Sequence, residues 1–320
     1  MSKHLLITGG AGFIGSNFIE YMLKNSAYSI TNIDALTYAG QIDNMMTFKK
    51  YPNYRFMHCD IGNRDSLIKA FDRNYEFIIN FAAESHVDRS IENAQPFVDT
   101  NVSGTLNLLY ALLDGKAKKM IQISTDEVYG SLRSDDLPFT ENSPLTPNNP
   151  YSASKASADL LVRSFYQTYK LPLIITRCSN NYGPRQHNEK FIPKVITNAL
   201  NEQKIPLYGD GKNIRDWLFV EDHCRAIRMV LEHGEPGEIY NIGGGHERTN
   251  QEVITFILDY LNKSHTLIQF VEDRKGHDRR YAINWGKIHK ELGWMPQVTF
   301  REGLIRTIEW YKNNNGQQKR

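Results

Sequence analysis

The sequence has few cysteines, and those it has form no recognisable pattern. Cys59, Cys178 and Cys224 are an odd number in 320 residues, far apart and without a C-x-x-C or Cys/His spacing. The small, odd number disfavours a disulfide framework, and the absence of closely spaced cysteines and histidines disfavours a cysteine-based zinc site. The composition therefore indicates a protein of a reducing compartment, and we expect no metal site.

The sequence also lacks a strong charge of one sign and a long hydrophobic run. The 38 lysines and arginines nearly balance the 36 aspartates and glutamates, and the KAKK tract at 116–119 is short. This balance gives no field that would attract nucleic acid or a membrane surface, so anionic ligands must be bound locally. No stretch approaches the ~18 apolar residues of a membrane span, and no charged-then-apolar leader precedes residue 4. We expect a soluble, cytoplasmic protein.

Short apolar runs alternate with longer segments of helical period along the first half of the chain. The segments with strand character are 5–8, 30–34, 55–60, 76–81, 119–124 and 173–177. This alternation is typical of βαβ units and predicts an α/β fold with a doubly wound parallel sheet of the Rossmann type. Ligands of such sheets bind at the carboxyl ends of the strands, so the polar residues that follow these segments are candidates for function.

Beyond residue 177 the alternation gives way to segments rich in Asn, Gly and Pro, at 180–190 and 208–217. A second, smaller C-terminal α/β lobe that binds the substrate is expected to begin here. A helix at 221–232 and a strand at 238–242 are expected to return to the main sheet. The predicted division is residues 1–177 with 221–243 for the dinucleotide-binding domain, and 178–220 with 244–320 for the substrate lobe.

A glycine-rich turn directly follows the first predicted strand, with glycines at 9, 12 and 15. Glycine allows a tight turn and lets backbone N–H groups and a helix N-terminus approach a pyrophosphate. Asp34 ends the second strand about 20 residues later, where a carboxylate bonds the adenosine ribose. Its charge would repel a 2′-phosphate, so we expect NAD rather than NADP. An ordinary glycine-rich turn is the alternative.

Asp60 and Ile61 end the third predicted strand. There they would bond and cover an adenine edge. An N-cap role for Asp60 is an equally good interpretation.

Tyr151 and Lys155 form a Y-x-x-x-K pair in a segment of helical period, 152–169. Residues four apart share a helix face. The lysine ammonium is expected to lower the tyrosine pKa from its reference near 10 toward the range of a general base. A surface Tyr/Lys pair is the alternative, but the dinucleotide motif in the same chain favours the catalytic interpretation.

Two adjacent acids, Asp126 and Glu127, follow Thr125 at the end of the strand at 120–124. The threonine hydroxyl would bond the substrate oxygen. Adjacent carboxyl groups repel when both are ionised, so one is expected to keep its proton near neutral pH and act as an acid while the other acts as a base. That pairing suits the elimination of water. An N-cap cluster is the alternative.

Together these motifs make the chain resemble the extended short-chain dehydrogenase/reductase family, and within it the nucleotide-sugar 4,6-dehydratases. The resemblance covers nearly the whole chain, and its most specific segments are DALTYAG at 34–40, AAESHVDRSI at 82–91, STDEVYG at 124–130, YSASKA at 151–156, RCSNNYGP at 177–184, IRDWLFVEDH at 214–223 and GHDRRYAI at 276–283. Sugar-nucleotide epimerases share the glycines and the Y-x-x-x-K pair but lack the Asp-Glu pair. A non-catalytic NAD-binding regulator should have lost Tyr151 or Lys155, and both are present.

The resemblance implies a mechanism on dTDP-glucose; the base and the hexose rest on the resemblance alone. Tyr151, held by Lys155, would deprotonate the C4 hydroxyl while NAD oxidises C4. Glu127 would then remove the C5 proton and Asp126 would protonate the departing C6 hydroxyl. The resemblance also implies a role in deoxysugar synthesis and a homodimer through two helices near 100–113 and 152–169.

The resemblance further assigns ligand-binding residues. Around NAD it places Gly9, Gly12, Phe13, Ile14, Gly15, Asp34, Leu36, Thr37, Asp60, Ile61, Ala82, Ala83, Thr100, Tyr151, Lys155 and Asn181. Around the nucleotide sugar it places Ser85, His86, Asn180, Lys190, Phe191, Tyr208, Arg215, Asn241, Arg274 and His277. Arg215 suits bidentate binding of the diphosphate, and Arg274 and Lys190 are further cationic candidates; surface salt bridges are the alternative.

Overall fold

The computed structural model describes residues 3–273 and 276–314 of the chain. Its strands are short, and several of them, such as His4–Thr8, Ser29–Asp34 and Leu173–Cys178, are buried along almost their whole length, as expected for segments covered on both faces. In chain order they are β1 (His4–Thr8), β2 (Ser29–Asp34), β3 (Tyr54–His58), β4 (Tyr75–Asn80), β5 (Ala117–Thr125), β6 (Leu173–Cys178), β7 (Asn180–Tyr182), β8 (Ile205–Tyr208), β9 (Ile214–Phe219), β10 (Ile239–Ile242), β11 (Glu247–Thr249) and β12 (Ile268–Val271).

The helices alternate with the strands through the first half of the chain. They are α1 (Phe13–Asn25), α2 (Arg64–Ala70), α3 (Val87–Glu92), α4 (Gln95–Phe97), α5 (Thr105–Leu113), α6 (Pro150–Tyr169), α7 (Phe191–Leu200), α8 (Val220–His233), α9 (Asn250–Tyr260), α10 (Gly286–Leu292) and α11 (Phe300–Asn314). A π-helical segment, Val98–Gly104, leads into α5, and 3₁₀ segments are Ile42–Lys50, Asp126–Tyr129 and His265–Leu267.

Seven strands form one parallel sheet in the order β10-β6-β5-β4-β1-β2-β3. The order reverses direction at β1, so the sheet is doubly wound and the predicted Rossmann-type fold is confirmed. β10 comes from far along the chain and lies parallel to β6, with Ile239 opposite Ile175. The boundaries expected between the two lobes stay a prediction.

Two apolar clusters cover the opposite faces of this sheet. Successive strand residues point to opposite faces, so Leu5 and Ile7 belong to the cluster covered by α1 and α8 while Leu6 belongs to the one covered by α5 and α6. The carboxyl ends of the strands are left at one edge, and the loops that follow them carry the candidate site.

The second half of the chain adds two small sheets. One has the order β11-β9-β7 and the other pairs β12 with β8. Helices α7, α9 and α11 pack with β9 around a third apolar cluster that includes Ile196, Ile254 and Ile308. Within the described part of the chain, no helix is both long and apolar enough to span a membrane.

Candidate functional site

The turn between β1 and α1 is closed by glycines at positions where a side chain would collide with backbone. Gly9 has a φ of +70°, and a Cβ there would lie 2.6 Å from the Ala82 nitrogen. A Cβ on Gly15 would lie 2.4 Å from the carbonyl oxygen of Gly9. Helix α1 therefore starts close to the end of β1, and its N-cap, Gly12, has no side chain to bond the first-turn amides. These amides point to the carboxyl edge of the sheet, where they suit a phosphate group.

Asp34 ends β2 beside this turn. Its Oδ2 accepts a hydrogen bond from the Ala11 amide and its Oδ1 one from the Leu36 amide, both at 2.8 Å. Burial raises the pKa of the Asp34 carboxyl, although the two amide bonds act in the opposite direction. The carboxylate is therefore held at the cavity wall where a ribose diol would be bonded.

A cavity of about 300 Å³ runs along the carboxyl edge of the sheet; we call it the dinucleotide cavity. Every residue predicted to contact NAD lines it except Leu36, which only supports Asp34 through its amide. Of the residues predicted to contact the sugar, Ser85 also lies here. The lining residues that were predicted are Gly9, Gly12, Phe13, Ile14, Gly15, Asp34, Thr37, Asp60, Ile61, Ala82, Ala83, Thr100, Tyr151, Lys155 and Asn181.

A second cavity of about 260 Å³ lies between the main sheet and the C-terminal sheets. The predicted sugar-binding residues that line it are His86, Asn180, Lys190, Phe191, Tyr208, Arg215 and His277. The two cavities adjoin, since both are lined by Glu127, Asn180, Asn181, Gln186, Glu189 and Lys190. Arg274, also predicted for the substrate, lies outside the described residues.

Asn241 lies apart from both cavities, contrary to its expected place. It is fully buried in β10, where its Oδ1 accepts a hydrogen bond from the Tyr129 hydroxyl at 2.9 Å. Asn250 lines the second cavity instead, at the start of α9, and was not predicted. Asn241 lies within β10 and Asn250 directly follows β11, and only the packing decides which one lines a cavity. Tyr281 and Trp217 are further unpredicted lining residues.

Helix α6 carries the Tyr–Lys pair. Asn149 caps it by accepting a hydrogen bond from the Ser152 amide at 2.9 Å, which places Tyr151 in the first turn. Tyr151 and Lys155 are 8% and 4% exposed, so the alternative of a surface pair does not apply.

The expected lowering of the Tyr151 pKa is not observed. Burial raises that pKa well above its usual value, and the negative charge of Glu127 raises it further. The Lys155 ammonium donates instead to the Ile123 carbonyl oxygen at 2.7 Å. Burial also lowers the pKa of Lys155.

Asp126 and Glu127 begin the 3₁₀ segment after β5. The Thr125 hydroxyl donates to Asp126 Oδ1 and accepts from the Glu127 amide, both at 3.2 Å, so Thr125 caps the segment as the alternative interpretation expected. Asp126 is 2% exposed, and its Oδ2 has no hydrogen-bond partner among the described residues. Burial, and then the charges of Glu127 and Asp216, raise the pKa of Asp126 well above its usual range. The surroundings of Asp126 thus favour its protonated form.

A glycine turn, a strand-end carboxylate and a buried Tyr–Lys pair on a doubly wound sheet define a dinucleotide-binding α/β enzyme of the short-chain dehydrogenase/reductase type. Within that class, the chain belongs to the GDP-mannose 4,6 dehydratase family, whose model matches residues 6–307.

Curated relatives match along almost the whole chain. It is 53% identical to the low-salt glycan biosynthesis protein Agl12 of Haloferax volcanii, over 96% of this chain and 98% of the relative. It is 46% identical to a dTDP-glucose 4,6-dehydratase of Neisseria gonorrhoeae, over 98% and 96%. The crystal structure of DesIV, the dTDP-glucose 4,6-dehydratase of Streptomyces venezuelae, with NAD and dTDP bound, has a TM-score of 0.95 at 49% identity, covering 98% of each chain.

Proposed function

We propose that this chain is a dTDP-glucose 4,6-dehydratase that converts dTDP-glucose into dTDP-4-keto-6-deoxyglucose and water, a step toward deoxysugars. Relatives of that activity at 46–49% identity over nearly the full length support the proposal. The observation that carries it is the Asp126–Glu127 pair beside the Tyr–Lys pair: all four residues line the dinucleotide cavity, and Glu127 also lines the second cavity. Redox chemistry alone would need only the Tyr–Lys pair.

The dinucleotide cavity fits NAD as the cofactor. The Gly9–Gly15 turn, where a Cβ would meet backbone, and the first turn of α1 would hold the diphosphate. Asp34 would bond the adenosine ribose, and Lys155 the nicotinamide ribose. When bound, NAD supplies a hydride acceptor that oxidises the sugar at C4 and later returns the hydride at C6.

The first proton transfer is assigned to Tyr151. Its phenolic oxygen takes the proton of the C4 hydroxyl, and the Thr125 hydroxyl bonds the same sugar oxygen. Because the pKa of Tyr151 is high, the transfer needs positive charge nearby. Lys155, four residues along the same helix, supplies it.

The two acids then remove water. The C4 ketone makes the C5 proton acidic, and Glu127 takes it. Asp126 gives its proton to the C6 hydroxyl, which leaves as water. Glu127 finally returns its proton to C5. At the end Tyr151 has gained one proton, from the C4 hydroxyl, and Asp126 has lost one, to the leaving water. A proton must therefore pass from Tyr151 to Asp126 before the next turnover.

The second cavity suits the nucleotide part of the substrate. Arg215 is 9% exposed, and its guanidinium lies 4.3 Å from the centre of the Tyr281 ring, while one of its nitrogens donates to the Asp278 carbonyl at 3.0 Å. This fixes the planar group toward a diphosphate, which arginine binds through two parallel hydrogen bonds. Lys190 lies in the wall shared with the dinucleotide cavity.

The proposal includes a homodimer and a cytoplasmic location. Leu160 and Tyr169 on α6 and Leu113 on α5 are 55%, 50% and 40% exposed, and apolar groups of this size favour burial against a partner. Leu109 and Phe165 lie in the two helices expected at the interface, but both are buried within the chain, in the cluster beneath α5 and α6.

The test is incubation of the purified protein with dTDP-glucose, UDP-glucose and GDP-mannose in separate reactions. We expect dTDP-glucose to give a product lighter by one water, with the alkali-induced absorbance of a 4-keto-6-deoxy sugar. Glu127→Gln should abolish this product while the protein still carries NAD, since Glu127 acts on the sugar. No dehydrated product from any of the three substrates would contradict the proposal, and a product from another sugar nucleotide alone would reassign the substrate.

A further inference from the structure

A buried arginine joins the two parts of the candidate catalytic centre. Arg177, at the end of β6, is 3% exposed. Its Nε donates to Asp159 Oδ2 at 2.9 Å, and its Nη1 donates to the Tyr129 hydroxyl at 2.8 Å. Asp159 lies on α6, the helix that carries Tyr151 and Lys155. Tyr129 is the last residue of the 3₁₀ segment that begins with Asp126.

Tyr129 is held from several sides. Its hydroxyl donates to Asn241 Oδ1 at 2.9 Å, and its ring stacks on Phe139, with centroids 5.1 Å apart. Its carbonyl oxygen accepts a hydrogen bond from the Thr146 hydroxyl at 2.5 Å. The side chain is fully buried. The hydroxyl therefore connects the segment that carries the two acids to both β6 and β10.

The position of the two acids depends on such anchors. A 3₁₀ segment of four residues has few internal hydrogen bonds and poor geometry, so it does not hold its own place. Thr125 anchors its first residues, and Tyr129 anchors its end. Proton transfer needs the acid and the reacting atom within hydrogen-bond reach, and a displacement of about 1 Å can cost roughly a hundredfold in rate.

We infer that Tyr129 is a positioning residue for the elimination of water, and that its hydrogen bond with Arg177 sets Asp126 and Glu127 against the Tyr151–Lys155 pair. The inference rests on the proposed dehydratase function. Tyr129 lines neither cavity, so it acts on the reaction only through the residues it holds.

The test is Tyr129→Phe, which removes the hydroxyl and keeps the ring against Phe139. Loss of water from dTDP-glucose is expected to slow about tenfold, with KM little changed and the NAD content of the protein unchanged. Oxidation at C4 should continue, because Arg177 still bonds Asp159 and holds α6. Reduced cofactor should therefore accumulate during turnover, seen as NADH absorbance that the wild-type protein does not show.

Tyr75→Phe is the matched control. Tyr75 is also buried, donates its hydroxyl to the Ala70 carbonyl at 3.1 Å, and lines neither cavity. The Tyr75→Phe protein should lose about as much stability as the Tyr129→Phe protein, but it should keep normal turnover without NADH accumulation. Arg177→Lys is a second variant, because it keeps the charge opposite Asp159 and loses the planar group that bonds both partners; it should accumulate NADH as well.

Two results would overturn the inference. One is turnover of Tyr129→Phe at the wild-type rate. The other is slow turnover without NADH accumulation, since that would mean that oxidation suffers as much as elimination. Both are distinct from failure of the proposed function, in which the wild-type protein itself would give no product from dTDP-glucose.

Discussion

Asp126 and Glu127 are neighbours in sequence with different surroundings. Asp126 is buried, next to Glu127 and near a second buried acid, Asp216, so its surroundings favour the protonated carboxyl. Glu127 is only half-buried and lines both cavities. In the proposed mechanism, these unequal environments, rather than the chemical types of the two residues, are the reason for taking Asp126 as the acid and Glu127 as the base.

Asp126→Asn is predicted to stabilise the protein at neutral pH while abolishing dehydration. The folded-state pKa of Asp126 lies above its ordinary value of 3.8, so the folded chain binds this proton more tightly than the unfolded chain. The stabilisation that this group gives the wild-type protein is therefore fully present below about pH 4. As the pH rises from there toward the folded-state pKa, the free energy of unfolding falls by about 1.4 kcal/mol per pH unit. Asparagine carries no such cost.

Thermal unfolding from pH 4 to pH 8 would measure this effect. The variant should match the wild-type protein near pH 4 and exceed it increasingly above that. Asp72→Asn is the control: Arg55 and Arg73 lower the pKa of the Asp72 carboxyl, so its contribution is fully present above about pH 4, and this variant should differ from the wild-type protein by a constant amount across the range. A constant difference between Asp126→Asn and wild type across this range would contradict the assigned protonation state.

Motif residues could be placed from the sequence, but their protonation and some neighbours could not. The glycine turn, Asp34 and the Tyr–Lys pair act through local spacing, which the sequence displays. The pKa of Tyr151 depends on burial and on Glu127, which is distant in sequence, and the local effect of Lys155 predicts the wrong direction. Asn241 and Asn250 likewise differ only in what packs around them.

At the scale of elements, the junction of β1 and α1 has little room for change. Gly15→Ala is predicted to weaken both folding and NAD retention, since the added Cβ would lie 2.4 Å from the Gly9 oxygen and 2.9 Å from the Gly10 Cα. The backbone must move, at a cost of about 1–3 kcal/mol. The first-turn amides of α1 would move with it.

Denaturant unfolding and the NAD content of the purified protein measure the two effects. Ser16→Ala, one residue further along α1, removes only a hydrogen bond to the Phe13 carbonyl and should lose less stability and no NAD. A Gly15→Ala protein that keeps wild-type NAD content would show that the close approach is not required.

The main-sheet strands could be predicted because each is a local apolar run. The run at 173–177, for example, corresponds to Leu173–Cys178. Strands β7 and β9 were missed, because they lie in the polar segments at 180–190 and 208–217 that indicated loops. Each is short and stabilised by partners distant in sequence, as when Asn180 of β7 lies opposite Trp217 of β9. Such pairing leaves no local pattern.

At the scale of the whole molecule, the second half of the chain does not form a separate body. Helix α8 and strand β10 contribute Ile227, Val230 and Ile242 to the cluster that also contains Leu5 and Ile7 of β1. After β10 the chain continues into β11 and β12, which complete the two small sheets. In the proposed function, this packing against the main sheet would hold the wall between the two cavities, so that a sugar bound in the second cavity would face a cofactor bound in the dinucleotide cavity.

The dimer proposed above depends on the outer surface of α5 and α6. Leu160 is 55% exposed and lies on α6 opposite the buried face that holds Tyr151 and Lys155. A glutamate at position 160 should change the stability of a monomer little, because the position is already in water. It should weaken a dimer interface strongly, because an unpaired charge would be buried there. Leu160→Glu is therefore predicted to convert a dimer into folded monomers with unchanged thermal unfolding of the chain's own core.

Sedimentation velocity at micromolar concentration distinguishes the two states. Leu137→Glu is the control, because Leu137 is 86% exposed and lies outside both helices, so its variant should sediment like the wild-type protein. A wild-type monomer would reject the dimer, and a dimeric Leu160→Glu protein would place the interface elsewhere. Activity adds a further test: Asp126, Glu127, Tyr151 and Lys155 of a single chain line the same cavity, so monomers that remain folded should still dehydrate dTDP-glucose.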